Sequence, residues 1–382
     1  MRSKPSIMER TVYLDHNASA PIRPQSAEAM TSACALTGNA SSVHRYGRLV
    51  RRAVEDAREE VAALVGASPA GIVFTSGGTE ANNLAIRGAG RLRVLVSAVE
   101  HLSVLRAGAD LEIIAVDGDG VIDLQALASL LEDETRPALV SLMLANNETG
   151  VIQPVAAAVE IAHRHGALVH CDAVQAAGKI PVDMMALGLD YLSLSAHKIC
   201  GPAGTGALVV ADGAPLAGVA FGGGQERGRR AGTENLPGIA GFGVAARLAR
   251  AALEEFAGLA RRRDGLERRI LDLAPAVRIF GAASKRLPNT SCFTLPGMTG
   301  ETQVMALDLA GVAVSAGSAC SSGKIATSHV LEAMGVDKEI AVCAIRVSLG
   351  WTSTENDIDT FIRTWTAVRA TADAALRAAA AA

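Results

Sequence analysis

The sequence predicts an α/β protein, with a large domain built on a mostly parallel seven-stranded sheet and a smaller α+β C-terminal domain. Three observations predict it. Short apolar runs alternate with alanine-rich helical stretches as far as about Gly238. Those runs lack strict in–out alternation, as expected of strands covered by helices on both faces. Beyond Gly238 the pattern changes to a long helical stretch, then strand-like pieces mixed with helices.

Taken in order, the candidate strands of the large domain are Ile72–Thr75, Val94–Ser97, Leu111–Val116, Ala138–Leu144, Ala167–His170, Tyr191–Leu194 and Ala207–Val210. Helical periodicity lies between them at Glu80–Arg87, Leu124–Leu131 and Val155–His165. One long helix is expected over Ile239–Leu273, with its arginines and glutamates on the wet face. Strand-like pieces follow around Val277–Phe280, Ser291–Leu295 and Ile345–Ser348. The terminal run Ala374–Ala382 reads as a frayed helix or a tail. The expected division is 14–250 for the large domain, with 1–13 and 251–382 forming the small one.

Composition narrows the function classes. Of 382 residues, 49% are hydrophobic and 20% charged, which excludes a disordered chain. Aromatics are only 3%, so the core is expected to be Ala, Val, Leu and Ile. A net charge of -3 gives no basic excess for nucleic acid. No apolar stretch reaches the roughly 20 residues of a membrane span, and Met1–Arg10 lacks the apolar centre of a signal peptide. Cys34, Cys171, Cys200, Cys292, Cys320 and Cys343 form no C-x-x-C pair. Free thiols in a reducing cytoplasm are expected rather than a disulfide scaffold or a zinc ribbon.

Five candidate strands run directly into polar clusters: Thr75-Ser-Gly-Gly-Thr-Glu80, Ser97-Ala-Val-Glu-His101, Ala145-Asn-Asn-Glu148, Cys171-Asp-Ala-Val-Gln175 and Ser195-Ala-His-Lys198. In open parallel sheets ligands bind outside the carboxyl ends of the strands, so the five are expected to converge on one pocket. Thr75–Glu80 reads either as a phosphate cradle at a helix N-terminus or as a simple helix cap with Ser76 and Glu80. The dinucleotide pattern is absent, and Gly323-Lys324 fails the P-loop pattern. Asp172 and Lys198 suggest pyridoxal phosphate instead. That cofactor needs a lysine for its Schiff base and a carboxylate beside its pyridine nitrogen. His101 is a ring-stacking proton carrier or a helix-cap histidine. Asn147 and Gln175 either hydrogen-bond the cofactor's phenolic oxygen or cap loops. His163 and His165 read as surface residues. Cys320, in the small, glycine-flanked run Ala316–Gly323, is a reactive thiol or an incidental cysteine in a linker. Cys34 and Cys343 are expected in apolar surroundings.

Together these segments resemble the cysteine desulfurases of the NifS/IscS type, within the class V aminotransferases. The resemblance rests on Tyr13-Leu-Asp-His-Asn17, Asn39–His44, Phe74–Asn83, Ala145–Glu148, His170–Gln175, Ser195–Lys198, Gly222–Glu226, Arg230–Thr233, Gly317–Cys320 and Ile345–Gly350, in order from about Tyr13 to Asp359. It implies a PLP-dependent transferase of fold type I that converts L-cysteine to L-alanine and delivers sulfur for iron–sulfur cluster assembly or another use. It further implies that Lys198 carries the cofactor, Asp172 pairs with the pyridine nitrogen and His101 stacks on the ring. Gln175 and Asn147 would face the phenolic oxygen. Gly78, Thr79, Ser195 and His197 would hold the phosphate, and Thr233 would reach the phosphate of a second subunit in a homodimer. Arg346 would clamp the substrate carboxylate together with Asn147. Cys320 would accept the sulfur as a persulfide and pass it to an acceptor or scaffold protein. No metal site is expected. Selenocysteine lyase, and a catalytically silent sulfur-carrier subunit, are the alternatives.

The chain departs from the family pattern at Asn17-Ala-Ser-Ala and Gly201-Pro-Ala-Gly204, neither of which touches the inferred chemistry. The terminal alanine run stands where housekeeping members have a scaffold-docking tail, which leans the reading toward a nitrogen-fixation or specialised branch.

Overall fold

The computed structural model describes residues 11–108, 110–132, 136–316 and 327–380, with side chains to residue 371 in the last helix. The chain enters through a short strand, β1 (Val12–Tyr13), and two helices, Pro24–Cys34 and Arg45–Leu64. The second helix is legible in its residues. His44 caps it by accepting from Gly47 N–H, and Val50, Val54, Ala57 and Val61 bury one stripe.

The seven expected strands form one sheet: β2 (Ile72–Thr75), β3 (Arg93–Ser97), β4 (Leu111–Ile114), β5 (Ala138–Met143), β6 (Leu168–Asp172), β7 (Tyr191–Ser195) and β8 (Gly206–Val210). Their order is β2-β8-β7-β6-β5-β3-β4. All run parallel except β8, which is antiparallel to both neighbours. The reason is local. The link from Ser195 to Gly206 holds only the 3-10 turn Ala196–Lys198, too little for the crossover that a parallel neighbour needs. Alternate side chains of the sheet enter two separate cores. Phe74, Leu95 and Val140 pack with the helices Arg45–Leu64 and Leu236–Ala251 on one face. Val73, Val96 and Leu139 pack with Ala81, Leu84 and Ala85 of helix Gly78–Gly88 on the other. Both faces are therefore dry, which is why the strand sequences do not alternate.

A second sheet follows. It contains β9 (Arg278–Ile279), β10 (Thr290–Thr294), β12 (Ser315–Ala316) and β13 (Ala344–Ser348), all antiparallel, in the order β12-β13-β10-β9. The strand β11 (Val312–Ala313) pairs in parallel with β1. The helices Leu259–Leu273, Gly300–Leu309 and Glu355–Ala380 complete this part. Its core gathers several of the few aromatics, with Phe293 edge-on to Phe361 and Trp365 at 6.5 and 5.9 Å between centroids.

Two expectations need correction. The single helix over Ile239–Leu273 is three: Leu236–Ala251, Leu253–Ala257 and Leu259–Leu273, with a bend of 64°. Ala249 still belongs to the first core and Leu259 already belongs to the second, so a straight helix would leave one of them in water. Cys34, expected in apolar surroundings, is exposed at the end of its helix, whereas Cys171, Cys292 and Cys343 are buried. The alanine run continues helix Glu355–Ala380 as far as Ala380, and its last two residues lie outside the described residues. No single helix among the described residues is long and apolar enough to cross a membrane.

Candidate active site

A cleft of about 570 Å³ opens at the carboxyl ends of β2, β3, β5, β6 and β7. The five polar clusters converge there. Gly78, Thr79, His101, Asn147, Asp172, Gln175, Ser195, His197, Lys198 and Arg346 all line it. Thr233 does not; it is exposed in the loop before helix Leu236–Ala251. Cys320 lies outside the described residues, and Thr327, Ser315 and Ala316 line the cleft on either side of that gap.

Lys198 stands in the 3-10 turn at the end of β7, a half-buried position that the β7–β8 reversal creates. Its Nζ donates to the carbonyls of Asn17 and Ala18 at 2.6 and 2.9 Å. Burial, and then the nearby Arg346 cation, push its pKa down to about 8, so near neutral pH a useful fraction is the free amine. Asp15 and Asp172 oppose that shift.

Asp172 ends β6, and its carboxylate is held from two sides. Oδ1 accepts from Val174 N–H at 2.9 Å and Oδ2 from Asn82 Nδ2 at 2.7 Å. Asn82 also donates to Ser103 Oγ at 2.9 Å, and Ser103 Oγ lies 2.7 Å from His101 Nδ1. Ser103 N–H donates to the same Nδ1 at 3.1 Å. Because His101 Nδ1 accepts a backbone N–H, it carries no hydrogen, and the Ser103 hydroxyl must donate to it. His101 Nδ1 is thus an acceptor, and the neutral ring carries its proton on Nε2. Burial lowers the His101 pKa, reinforced by Lys198 and His329 and opposed by Asp172. The two readings of His101 coincide: it caps helix Leu102–Leu105 and faces the cleft.

Helix Gly78–Gly88 begins without a side-chain cap. Ser76 does not cap it; instead Glu80 Oε2 accepts from Ser76 N–H at 2.7 Å, and Arg230 Nε donates to Glu80 Oε1 at 2.8 Å. The first-turn N–H groups and the positive dipole end therefore meet the cleft, as an anion site requires. A Cβ on Gly78 would stand 2.7 Å from Val174 Cγ2, so glycine lets the backbone come this close. Burial, and then Lys198 and Lys179, push His197 down to about 4, which keeps its ring neutral. His163 and His165 are on the surface, with His163 beside Asp190 at 3.1 Å.

Arg346 comes from β13 and joins the second sheet to the cleft. It donates to Asn147 O at 2.9 Å and to Asp15 Oδ1 at 2.7 Å, while its buried Nε has no partner. A guanidinium lining a cleft is an anchor for a ligand carboxylate.

Sequence reasoning missed the supports of this site. Asp15 and Asn17 stand in a segment read only as a resemblance. Asn82 sits one turn into its helix, on the side facing the sheet, and that spacing is the signal that could have found it. Glu148 lines the cleft and accepts from Ser328 Oγ at 2.5 Å; burial raises its pKa to about 7. Lys179 is fully buried behind Gln175.

Comparison with known proteins agrees with this geometry. Residues 12–361 match the family model described as aminotransferase class-V. A protein of Cereibacter sphaeroides named cysteine desulfurase is 46% identical over 367 residues, covering 92% of this chain and 94% of its own. The solved structure of a NifS-like protein from Rickettsia africae superposes with a TM-score of 0.88 at 36% identity, covering 94% of this chain and 99% of its own. A structure described as SspA in complex with cysteine has a TM-score of 0.76 at 31% identity, covering 89% and 99% of the two chains. With a family model spanning most of its length and close relatives along nearly all of it, the chain belongs to the class V aminotransferase family, among the cysteine desulfurases.

Proposed function

We propose that the protein uses pyridoxal phosphate to convert L-cysteine to L-alanine, with the sulfur taken up by Cys320. The observation that carries this reading is the meeting of Lys198, Asp172, His101 and Arg346 in one cleft. The donor set fits the cofactor. Gly78, Thr79, Ser195 and His197 would hold the phosphate at an uncapped helix N-terminus. Asp172, fixed by Asn82 and Val174, would face the pyridine nitrogen, and His101 would lie on the ring. Gln175 and Asn147 would face the ring oxygen.

When bound, the cofactor supplies an electron sink for the pair left at the substrate α-carbon. The protein supplies the rest. Arg346, which lines the cleft, binds the substrate carboxylate and so orients the α-carbon toward Lys198. Lys198, as a free amine, takes the α-proton. His101 holds a proton on Nε2 for return to the product carbon. The Cys320 thiolate attacks the substrate sulfur. The carbon–sulfur bond breaks, a sulfur–sulfur bond forms, and alanine leaves after its carbon is protonated. The resulting persulfide sulfur passes to an acceptor or scaffold protein.

The two hydrophobic cores support the division into a large cofactor domain and a small domain carrying Arg346 and Cys320. The five described cysteines are all free thiols, which fits the cytoplasm. Incubation of the reconstituted protein with L-cysteine and a reductant tests the function. Equal amounts of alanine and sulfide are expected, and Lys198→Ala is expected to lower both by several orders of magnitude. A protein that binds no pyridoxal phosphate, or forms no alanine, would overturn the assignment.

A further inference from the structure

Lys179 follows β6 by two turns of chain, is 3% exposed and does not line the cleft. It has no part in the chemistry just described. Its Nζ donates to Gln175 Oε1 at 2.6 Å and to Asn17 Oδ1 at 2.7 Å. Neither partner is a carboxylate. A buried lysine held only by amide oxygens is costly as a cation, and a neutral amine has two N–H bonds for these two acceptors. The charged and titratable groups around it are Lys198, Arg346, Cys200, His16 and His197. Burial first, then the Lys198 and Arg346 cations, depress its pKa well below the ordinary lysine value.

We propose that Lys179 is a positioning residue: it locks the Gln175 amide with its oxygen turned away from the cleft, so that Gln175 presents an N–H to the cofactor's ring oxygen. This rests on the pyridoxal phosphate reading. The orientation is set at both ends of the amide. Gln175 Nε2 donates to Asn17 O at 2.9 Å, and a carbonyl can only accept. Rotating the amide would bring two oxygens together there. One N–H of Gln175 is therefore committed to Asn17, and the second is available to the cleft that Gln175 lines. The same Asn17 carbonyl receives Lys198 Nζ at 2.6 Å, so the lock also steadies the lysine that carries the chemistry. Asn17 is itself held by Asn289, Thr290 and the carbonyl of Asn147. Without Lys179, Gln175 Oε1 would be left unpaired in a buried place and the amide would be held at its nitrogen end only.

The test uses the holoenzyme and reads the pH midpoint of the cofactor's absorption band, together with the rate of cofactor release. A ring oxygen that loses a donor holds a proton more tightly, so the midpoint rises. In Lys179→Met it is expected to rise by roughly one pH unit, the size of one weakened hydrogen bond. Cofactor release is expected to quicken by roughly five- to tenfold on the same ground. Gln175→Ala should do the same, and the double variant should be no worse than Gln175→Ala alone, because Lys179 acts through Gln175. An unshifted midpoint in Lys179→Met, or a shift that adds in full to that of Gln175→Ala, would overturn the proposal. Should Lys179→Met not fold, Lys179→Gln is read in the same way, with a smaller rise expected and no rise overturning it. A wild-type protein with no cofactor band at all would instead contradict the pyridoxal phosphate reading.

Discussion

Asn17 performs no chemistry, yet Lys198, Gln175, Lys179 and Asn289 all donate to it. Its partners lie far apart in the chain, so nothing in its local sequence announces the role. Asn82, which fixes Asp172, is marked only by its helical spacing, and Lys179 only by standing four residues after its partner Gln175. By contrast, the residues that face the cleft follow strand ends, and that regularity is visible in sequence. Buried histidines give a measurable consequence. His170 is fully buried, with Ser141 Oγ and Ser193 Oγ each 2.8 Å from its ring nitrogens, and burial pushes its pKa down to about 3. Its folded pKa is below the unfolded value of about 6.5, so the unfolded chain binds more protons between those values. Stability is therefore lost as pH falls from about 6.5 toward 3. Glu148, raised to about 7, acts in the opposite sense, losing stability as pH rises toward 7. Linkage puts the His170 contribution between pH 7 and pH 5 at about 2 kcal/mol. Urea unfolding of the cofactor-free protein at the two pH values should show His170→Gln gaining about 2 kcal/mol less than the wild type on going from pH 5 to pH 7. Equal differences would remove His170 from this role.

The turn Gln225–Gly228 shows how an element can be held in a strained shape. Glu226 and Arg227 have φ of 46° and 58°, a region that side chains other than glycine's rarely adopt. The Glu226 carboxylate enters a buried slot, accepts from both terminal nitrogens of Arg58 at 2.9 Å and from Phe74 N–H at 3.0 Å. Arg58 also lies over the Phe74 ring at 4.8 Å. These bonds anchor the loop that bears Arg230 and Thr233 to β2. Removing one member of a buried ion pair leaves the other uncompensated, so Glu226→Ala should cost about 3 kcal/mol in denaturant unfolding. Glu226→Met with Arg58→Met should recover much of that loss; no recovery would argue that backbone geometry, not the ion pair, sets the stability. At this scale the strands were legible, because short apolar runs bounded by glycines and polar residues are distinctive. The break in the long helix was not. It depends on which of two cores each turn meets, and helical periodicity does not report that.

At the scale of the whole molecule, the cleft joins the two parts of the chain: Arg346 reaches it from the second sheet and Lys198 from the first. Thr233 stays outside the cleft of its own chain. We propose that it serves the site of a second copy. Phe221 in the same loop is 91% exposed, and Val43 and Tyr46 are also exposed, apolar surface that a partner subunit would cover. Sedimentation should give the mass of two chains, and Phe221→Asp should weaken both assembly and cofactor retention. A single chain that keeps its cofactor fully would contradict the shared site. The fold and the residues lining the cleft follow from strand ends within one chain, whereas a residue serving another chain would leave no mark in spacing or periodicity. The central claim is that sulfur leaves L-cysteine onto Cys320. The direct measurement is mass spectrometry of the holoenzyme after L-cysteine is added without reductant. The account predicts that the Cys320 peptide gains one sulfur atom for each alanine formed in the first turnover, and that Cys320→Ala forms neither. Alanine formed in full by Cys320→Ala, or the added sulfur found on another cysteine, would contradict it.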